Sequence, residues 1–371
     1  MPLKPVTGKL NLPINSAEDV RVLFEVGRSL SLERHGKLSI ESYRRDLSDH
    51  LYYVGALCPW YFRPLQEVVT QLPASELVNF QWVLPSDWFY LLQDAPDSCV
   101  DHLVVRLDSA AESDRPIVYQ LEGILAGICT PYALRAMAHY ATTSDKRQRF
   151  QDLGFWIDDA GNPAVPRFMR QRQAIRLQLR DGTVDDAVGW ANPVGLPIAA
   201  IVNNLKQKKL AWHYCSFDLR LLDGMPTLGI SRIHLASPPY WTGWMAFCAI
   251  SPEGLYDPFE VTRGDEDEIV STREMWEDAK RDEARGRGYL ELLPYDDELI
   301  YCNGHTMLTP GVVGDIGGPP IWGSVPACPR CGKTMFFVTC VDRKVREFGD
   351  GWRNLYVCED CMVAACQGLL V

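Results

Sequence analysis

The chain has 371 residues, of which 47% are hydrophobic and 23% charged, a length and composition typical of a globular protein with two or more domains. Its formal net charge of −11 argues against a nucleic-acid function, because phosphate binding rests on clustered Lys and Arg. No apolar run approaches the ~20 residues that span a bilayer, which argues against a membrane protein.

The first half of the chain is predicted to be mostly helical. Ser16 followed by Asp19 resembles a capped helix start, with apolar residues following at helical spacing. Residues 116–142 predict a helix that Pro131 breaks or bends, because proline lacks the N–H that an interior turn requires. Residues 144–153 predict a further helix.

Near residue 205 the pattern changes from helical to strand-rich. Before it, the arginine-rich segment from Arg167 to Leu179 is predicted to continue the helical set. We therefore predict an α+β fold, with a helical domain over residues 1–205 and a β-rich domain over residues 206–371.

Strands are predicted through most of the second half. Leu210 to Leu222 and Leu228 to Leu235 predict a hairpin, because the turn residues from Asp223 to Pro226 separate them. Thr272 to Arg285 predict a charged helix. Further strands are predicted at Met245 to Ile250, Tyr289 to Leu293, Leu299 to Cys302 and Met335 to Val341.

Two Cys-x-x-Cys pairs near the C-terminal end predict a metal site. Cys328 and Cys331 form the first pair and Cys358 and Cys361 the second, which together supply four thiolates to a tetrahedral ion. Gly332 follows the first pair, where glycine adopts the positive φ of a turn at little cost. Zinc is the default ion, and four sulfurs leave it no open position, so we expect a structural role. Iron in a rubredoxin-like cage, a redox pair of thiols and cysteines that share this spacing by chance are the alternatives.

The cysteines and the N-terminus also predict the compartment. Apart from these two pairs, the 12 cysteines stand singly, several of them among apolar residues, as buried free thiols do. Met1-Pro2-Leu3-Lys4-Pro5 lacks the apolar core of a signal peptide. We therefore expect a reducing, cytoplasmic environment.

Three stretches around the cysteines form a recognisable pattern. They are the Gly-Gly-x-Pro-x-Trp of Gly317 to Trp322, the Cys-Pro-x-Cys-Gly-x-x-Met of residues 328–335, and the turn from Phe348 to Gly351 that leads to Cys358. In this order they resemble the YwqG-like family, in its members that carry a zinc-ribbon insert, and the related C-terminal domain of programmed cell death protein two. The resemblance covers about residues 300–371, with the ribbon at about 326–366.

This resemblance implies a β-rich fold with a structural metal. Bacterial relatives are thought to include immunity proteins of toxin systems, and no enzymatic activity is established for the family as a whole. One departure is that Thr339-Cys340 stands where the family commonly has a glutamine after the first ribbon strand.

Catalytic patterns give a weaker signal than the cysteines. The seven histidines form no HExxH and no spaced ligand cluster, and the chain has no Gly-x-Ser-x-Gly elbow or Walker-type phosphate loop. Asp46, Asp49 and His50, together with Asp101 and His102, could assemble a His/Asp metal site, although no spacing requires it. We expect the cysteine site to bind zinc without a catalytic role.

The sequence therefore favours a protein that binds another protein, with a toxin as one candidate partner and an immunity or defence role. Tyr240, Trp241 and Trp244, which lie beside two prolines, are the first candidates for the contact surface; packing against the sheet is their alternative role. A hydrolase or transferase with a non-local active site is one alternative function. A nucleic-acid-associated zinc ribbon is the other, because Lys333, Arg353 and neighbouring cations make that end locally basic.

Overall fold

The computed structural model describes residues 16–19, 21–22, 62–73, 92, 94–111, 114–128, 130–152, 156–157, 163–164, 173–180, 189–203, 212–222, 225, 228–237, 245–262, 288–293, 301–302, 306–307, 312–317, 325–342, 345 and 351–369. The chain divides into two compact units, residues 1–165 and residues 166–371. The domain boundary that the composition predicted, near residue 205, lies inside the second unit. None of the helices in the described ranges has the length and apolar character that crossing a bilayer requires.

The first unit is helical over most of its described residues. Its buried apolar side chains, among them Leu103, Ile124 and Met137, form one cluster that joins the helices. The elements are α1 (Arg63–Gln71), α2 (Asp97–Ser109), α3 (Arg115–Ile128), α4 (Pro131–Tyr140) and α5 (Ser144–Asp152), followed by a short hairpin of β1 (Trp156–Ile157) and β2 (Pro163–Ala164).

Several predicted helix signals in this unit are confirmed. The backbone N–H of Asp19 donates to Ser16 Oγ at 3.2 Å, which is the expected cap. The helical segment is interrupted before Pro131, which begins α4. The side chain of Thr130 caps α4 by accepting a hydrogen bond from the Ala133 N–H at 3.1 Å. The helix predicted at residues 144–153 is α5.

The second unit contains an antiparallel sheet of 11 strands in the order β6-β5-β4-β9-β3-β12-β13-β14-β15-β7-β8. A separate two-stranded pair consists of β10 and β11. The strands are β3 (Gln173–Leu179), β4 (Pro193–Val194), β5 (Trp212–Asp218), β6 (Arg232–Ser237), β7 (Met245–Ile250), β8 (Tyr256–Thr262), β9 (Gly288–Leu292), β10 (Tyr301–Cys302), β11 (Thr306–Met307), β12 (Val312–Ile316), β13 (Phe336–Asp342), β14 (Trp352–Cys358) and β15 (Val363–Leu369).

The sheet curls so that its first and last strands meet. The backbone N–H of His234 on β6 donates to the Tyr256 hydroxyl on β8 at 2.9 Å, and that hydroxyl donates to the His234 carbonyl. In the same way, Arg353 on β14 donates from Nε to the hydroxyl of Tyr214 on β5 at 3.1 Å. The hairpin of β5 and β6 therefore covers one face of β14 and β15.

The predicted hairpin of β5 and β6 and the predicted strands β7, β9 and β13 are confirmed. The helix predicted from Arg167 to Leu179 is wrong over Gln173–Leu179, which forms β3 between β9 and β12. In this stretch Ile175, Leu177 and Leu179 alternate with Arg and Gln, a period of two that is typical of a strand. The helix predicted from Thr272 to Arg285 lies outside the described residues.

Candidate metal centre

The first cysteine pair lies in a tight turn just before β13. Ala327 and Thr334 form an antiparallel bridge, and inside it the Cys328 N–H donates to the Lys333 carbonyl at 2.7 Å. The Gly332 N–H donates to the Cys328 carbonyl at 2.8 Å, which closes the turn. These bonds fix both thiols of the pair on one side of the loop.

The second pair lies in the turn that joins β14 to β15. Cys358 ends β14 and is the register partner of Val363 at the start of β15. Met362, directly after the second cysteine, has a φ of 50°, and Gly332 in the equivalent place of the first turn has a φ of 72°. The predicted positive φ at Gly332 is confirmed, and the second turn reaches the same left-handed region without a glycine.

The four sulfur atoms of Cys328, Cys331, Cys358 and Cys361 all lie within 4.8 Å of one another. The Sγ atoms of Cys331 and Cys358, which come from different turns, are 3.7 Å apart. A regular tetrahedron with metal–sulfur bonds of about 2.3 Å has edges of about 3.8 Å, so this spacing fits four thiolates around one ion. The four cysteines can therefore hold a metal together.

The local environment shifts the pKa values of the thiols in different directions. Burial acts to raise the pKa of the Cys331 thiol, but hydrogen bonds from the Lys333 backbone and from the other three thiols lower it below its ordinary value. Burial, with the neighbouring thiols, raises the pKa of Cys358 and of Cys361. A divalent ion must therefore displace protons from the second pair, which makes its binding weaker in acid.

The site joins the core of the second unit to its surface. Cys328 and Cys358 are 1% and 3% exposed and belong to the same apolar cluster as Phe337, whereas Cys331 is exposed and Cys361 half-buried. A metal bound here ties the start of β13 to the β14–β15 turn, two neighbouring parts of the sheet.

Side chains around the site also connect the two turns. Arg330 donates from Nη1 to the Cys361 carbonyl at 3.1 Å, and its guanidinium lies 5.2 Å from the centre of the Phe259 ring. Lys333 and Asp360 form an ion pair at 2.9 Å. Both contacts link residues of the first turn to residues beyond it, so the turns are held near one another by more than the thiols.

The basic residues considered for nucleic-acid contact are placed differently from one another. Arg353 is 2% exposed, and its Nη1 donates to the Trp352 carbonyl at 2.9 Å inside the sheet. Lys333 is engaged with Asp360. A buried arginine has no access to phosphates, so within the described residues this end offers little of the clustered charge that such binding requires.

The residues predicted for partner contact, Tyr240, Trp241 and Trp244, lie outside the described residues, as do Asp46, Asp49 and His50. Asp101 lies on α2, where its carboxylate accepts a hydrogen bond at 2.6 Å from the hydroxyl of Tyr132 on α4. That contact gives Asp101 a role in joining two helices.

A buried chain of hydrogen bonds, which the sequence did not indicate, crosses the β5–β6 hairpin. The Leu196 N–H donates to His213 Nδ1 at 2.9 Å, His213 Nε2 lies 2.8 Å from Ser216 Oγ, and Ser216 Oγ lies 2.7 Å from His234 Nδ1. The other end of the His234 ring bonds to the Gly254 backbone carbonyl. All three side chains are buried: His213 and Ser216 are 0% exposed, and His234 is 5% exposed.

The donors and acceptors in this chain follow from its first bond. Because a backbone N–H can only donate, His213 accepts at Nδ1 and carries its proton at Nε2, which donates to Ser216. The serine hydroxyl then donates to His234 Nδ1, so His234 carries its proton at Nε2 and donates to Gly254. Burial, followed by the positive charge of Arg232, lowers the pKa of His234 to about 3, which keeps the ring neutral. Every polar atom in the chain is thereby satisfied.

A β-bulge explains why the spacing of these residues gave no signal. Ser216 and His234 are register partners, so their side chains share a face of the hairpin. His213 and Ser216 are three residues apart, and on a regular strand such residues face opposite sides. The register of β5 shifts between His213 and Cys215, which brings His213 round to the face of Ser216. Since a substrate cannot reach atoms this deeply buried, the serine and histidines stabilise the hairpin.

The left-handed turn after Cys331 gives a test of the site's local geometry. Replacing Gly332 by alanine is expected to cost about 1 kcal/mol of unfolding free energy, because alanine disfavours a φ of 72°. No atom lies within 4 Å of the added methyl group, so the cost comes from the backbone alone. Denaturant unfolding of the metal-loaded protein measures it.

Gly189 provides the matched control for this substitution. It has equally open space around a Cβ but no positive φ, so Gly189→Ala should leave stability unchanged or slightly raised. Equal unfolding free energies for the Gly332→Ala variant and the unmodified protein would show that the turn imposes no such requirement.

No protein-family model, curated protein or solved structure matches this chain. The resemblance to the YwqG-like family therefore stays a prediction from the residues that carry it.

Proposed function

We propose that this chain is a non-catalytic protein-binding protein whose β-rich unit is held together by one structural zinc ion. The observation that carries the proposal is the set of four sulfur atoms within 4.8 Å of one another. Four thiolates complete a tetrahedral shell, and a zinc ion so enclosed has no position left for water or substrate. Zinc is preferred to iron because it is the usual ion of structural four-cysteine sites.

The binding role rests on charge and on aromatic content. A net charge of −11 would attract a basic partner and speed its encounter, and many toxins that immunity proteins neutralise are basic. The chain also has 11 tryptophans, a residue type that often anchors interfaces. The partner we propose is a basic protein, a toxin being one candidate, consistent with the family resemblance of residues 300–371.

Purification from the native host tests the proposal. The intact tagged protein, loaded with zinc, is expected to retain a basic partner at low ionic strength and to lose it as salt rises, because screening weakens the attraction. Recovery of no stable partner, together with turnover of a small molecule, would favour a hydrolase or transferase instead.

The predicted contact residues supply a sharper test once the partner is in hand. Alanine at both Trp241 and Trp244 is expected to weaken the complex by about tenfold or more, as truncation of interface anchors does. The melting temperature should stay nearly unchanged, which separates a contact role from packing against the sheet. A fall in melting temperature with unchanged affinity would assign these side chains to packing.

A further inference from the structure

A cavity of about 960 Å³ opens among α2, α3, α4 and α5 of the first unit. Its volume is in the range of pockets that enclose a small molecule. Its wall combines apolar side chains, two tyrosines and five charged residues. The charged residues are Asp108, Arg115, Asp145, Lys146 and Arg149.

Two helix N-termini contribute to this wall. Arg115 and Pro116 begin α3, a helix of 14 residues, and Thr143 immediately precedes α5, a helix of nine. These ends offer few free N–H groups, because Pro116 has none and the Lys146 N–H donates to Thr143 Oγ at 3.4 Å. They act on an anion through the helix dipole, which adds positive potential at both ends.

Two of the cations in the cavity lie at helix N-termini, where the helix dipole disfavours positive charge. Arg115 is the first residue of α3, and Lys146 is in the first turn of α5, where a positive side chain opposes the dipole. With Arg149 they place three cations around one cavity of a chain whose net charge is −11. A bound anion would convert both unfavourable placements into favourable ones.

Arg149 is held in position by a buried carboxylate, that of Glu122. Its Nε lies 2.9 and 2.8 Å from the two carboxylate oxygens of Glu122, which is 0% exposed. Tyr140 also bonds to this pair, and burial, followed by the charge of Glu122, raises the pKa of Tyr140 to about 12. This arrangement sets the arginine's orientation before anything binds.

One carboxylate of the wall lies outside the two helix N-termini. Asp108, near the C-terminal end of α2, can accept hydrogen bonds and repels a molecule that is anionic throughout, whereas Asp145 adjoins Lys146 in the first turn of α5. A fitting molecule therefore carries a compact anion at one end and hydroxyl or amino donors at the other. Phosphate suits the cationic end best, because arginine pairs with it through two parallel hydrogen bonds.

We propose that this cavity binds a small phosphate ester, of the nucleotide or sugar-phosphate class. Arg115, Lys146 and Arg149 hold the phosphate at the two helix N-termini, and Asp108 accepts hydrogen bonds from the hydroxyl or amino groups. This site is separate from the cysteine site and does not depend on the proposed protein partner.

Calorimetric titration of the intact protein tests the site. The probes are adenosine monophosphate, guanosine monophosphate, glucose 6-phosphate and inorganic phosphate, each up to about 1 mM, which detects the weak binding of a single small ion. At least one ester is expected to bind saturably, and more tightly than inorganic phosphate. Absence of saturable binding by all three esters would overturn the proposal, and phosphate binding as tightly as every ester would overturn the role given to Asp108.

Variants with matched charge changes locate the binding. Arg115→Ala and Lys146→Ala should each weaken the bound ester by about tenfold, since each removes a charge-assisted contact. Arg115→Ala should leave the melting temperature unchanged or raised, because the cation opposes its helix dipole. Arg135→Ala, which removes an exposed cation on α4 that does not line the cavity, is the control and should bind normally. Unchanged affinity in both test variants would place the ligand elsewhere.

Discussion

Replacing Cys358 by serine is expected to abolish stoichiometric zinc binding and to unfold the C-terminal part of the sheet at temperatures where the unmodified protein is native. Cys358 ends β14, is 3% exposed and packs in the core beside Phe337. Structural zinc contributes roughly 10 kcal/mol or more to the folding of small zinc-binding peptides. A loss of even half that amount is comparable with the whole stability of many domains, roughly 5–15 kcal/mol.

Elemental analysis and thermal unfolding followed by circular dichroism measure this effect together. Cys366→Ala is the matched control, because Cys366 lies on the adjacent strand β15 and is 1% exposed but is not one of the four clustered cysteines. This control should keep one equivalent of zinc and lose only the packing of one sulfur atom. A Cys358→Ser variant that keeps a full equivalent of zinc and melts normally would remove Cys358 from the site.

The second unit is expected to lose stability as the pH falls from 6.5 towards 3. The pKa of His234 is lowered to about 3 in the fold from an ordinary value of 6.5, chiefly by burial. Below 6.5 the unfolded chain therefore binds a proton that the native state excludes, so the contribution is fully present above 6.5 and is lost on acidification. At 1.36 kcal/mol for each pH unit, one such histidine costs about 3 kcal/mol by about pH 4.

Comparison with His234→Gln separates this histidine from other groups that titrate in acid, including the four thiols of the cysteine site. Glutamine can accept from Ser216 and donate to Gly254 but does not ionise in this range. The variant is less stable at neutral pH. As the pH is lowered, however, its unfolding free energy should decrease less steeply than that of the unmodified protein, and the two slopes should differ by the contribution of about one bound proton. Parallel curves for the two proteins would show that His234 is not the group responsible.

Features set by neighbouring residues could be predicted from the sequence. The Cys-x-x-Cys spacing fixes each thiol pair within one turn, and the structure brings the two pairs together as expected. Pro131 ends one helix and starts the next because of its own ring, whatever surrounds it. The pairing of β5 with β6 follows from the turn residues that separate two consecutive strand-like segments.

Features set by distant residues could not be predicted in this way. β3 lies between β9 and β12, more than 100 residues further along the chain, and its pairing there decides that Gln173–Leu179 is a strand. His213 meets Ser216 only because a bulge interrupts β5. The cavity collects Arg115, Lys146 and Arg149 from two helices, so no local spacing reveals it.

X-ray absorption at the zinc edge of the purified intact protein tests whether the four cysteines form a closed, structural site. We expect one equivalent of zinc with four sulfur neighbours at about 2.3 Å and no oxygen or nitrogen in the shell. A shell with three or fewer sulfurs and a bound water would be an open, catalytic type of site and would contradict this expectation. So would a metal content below about half an equivalent, given the affinity expected of four thiolates.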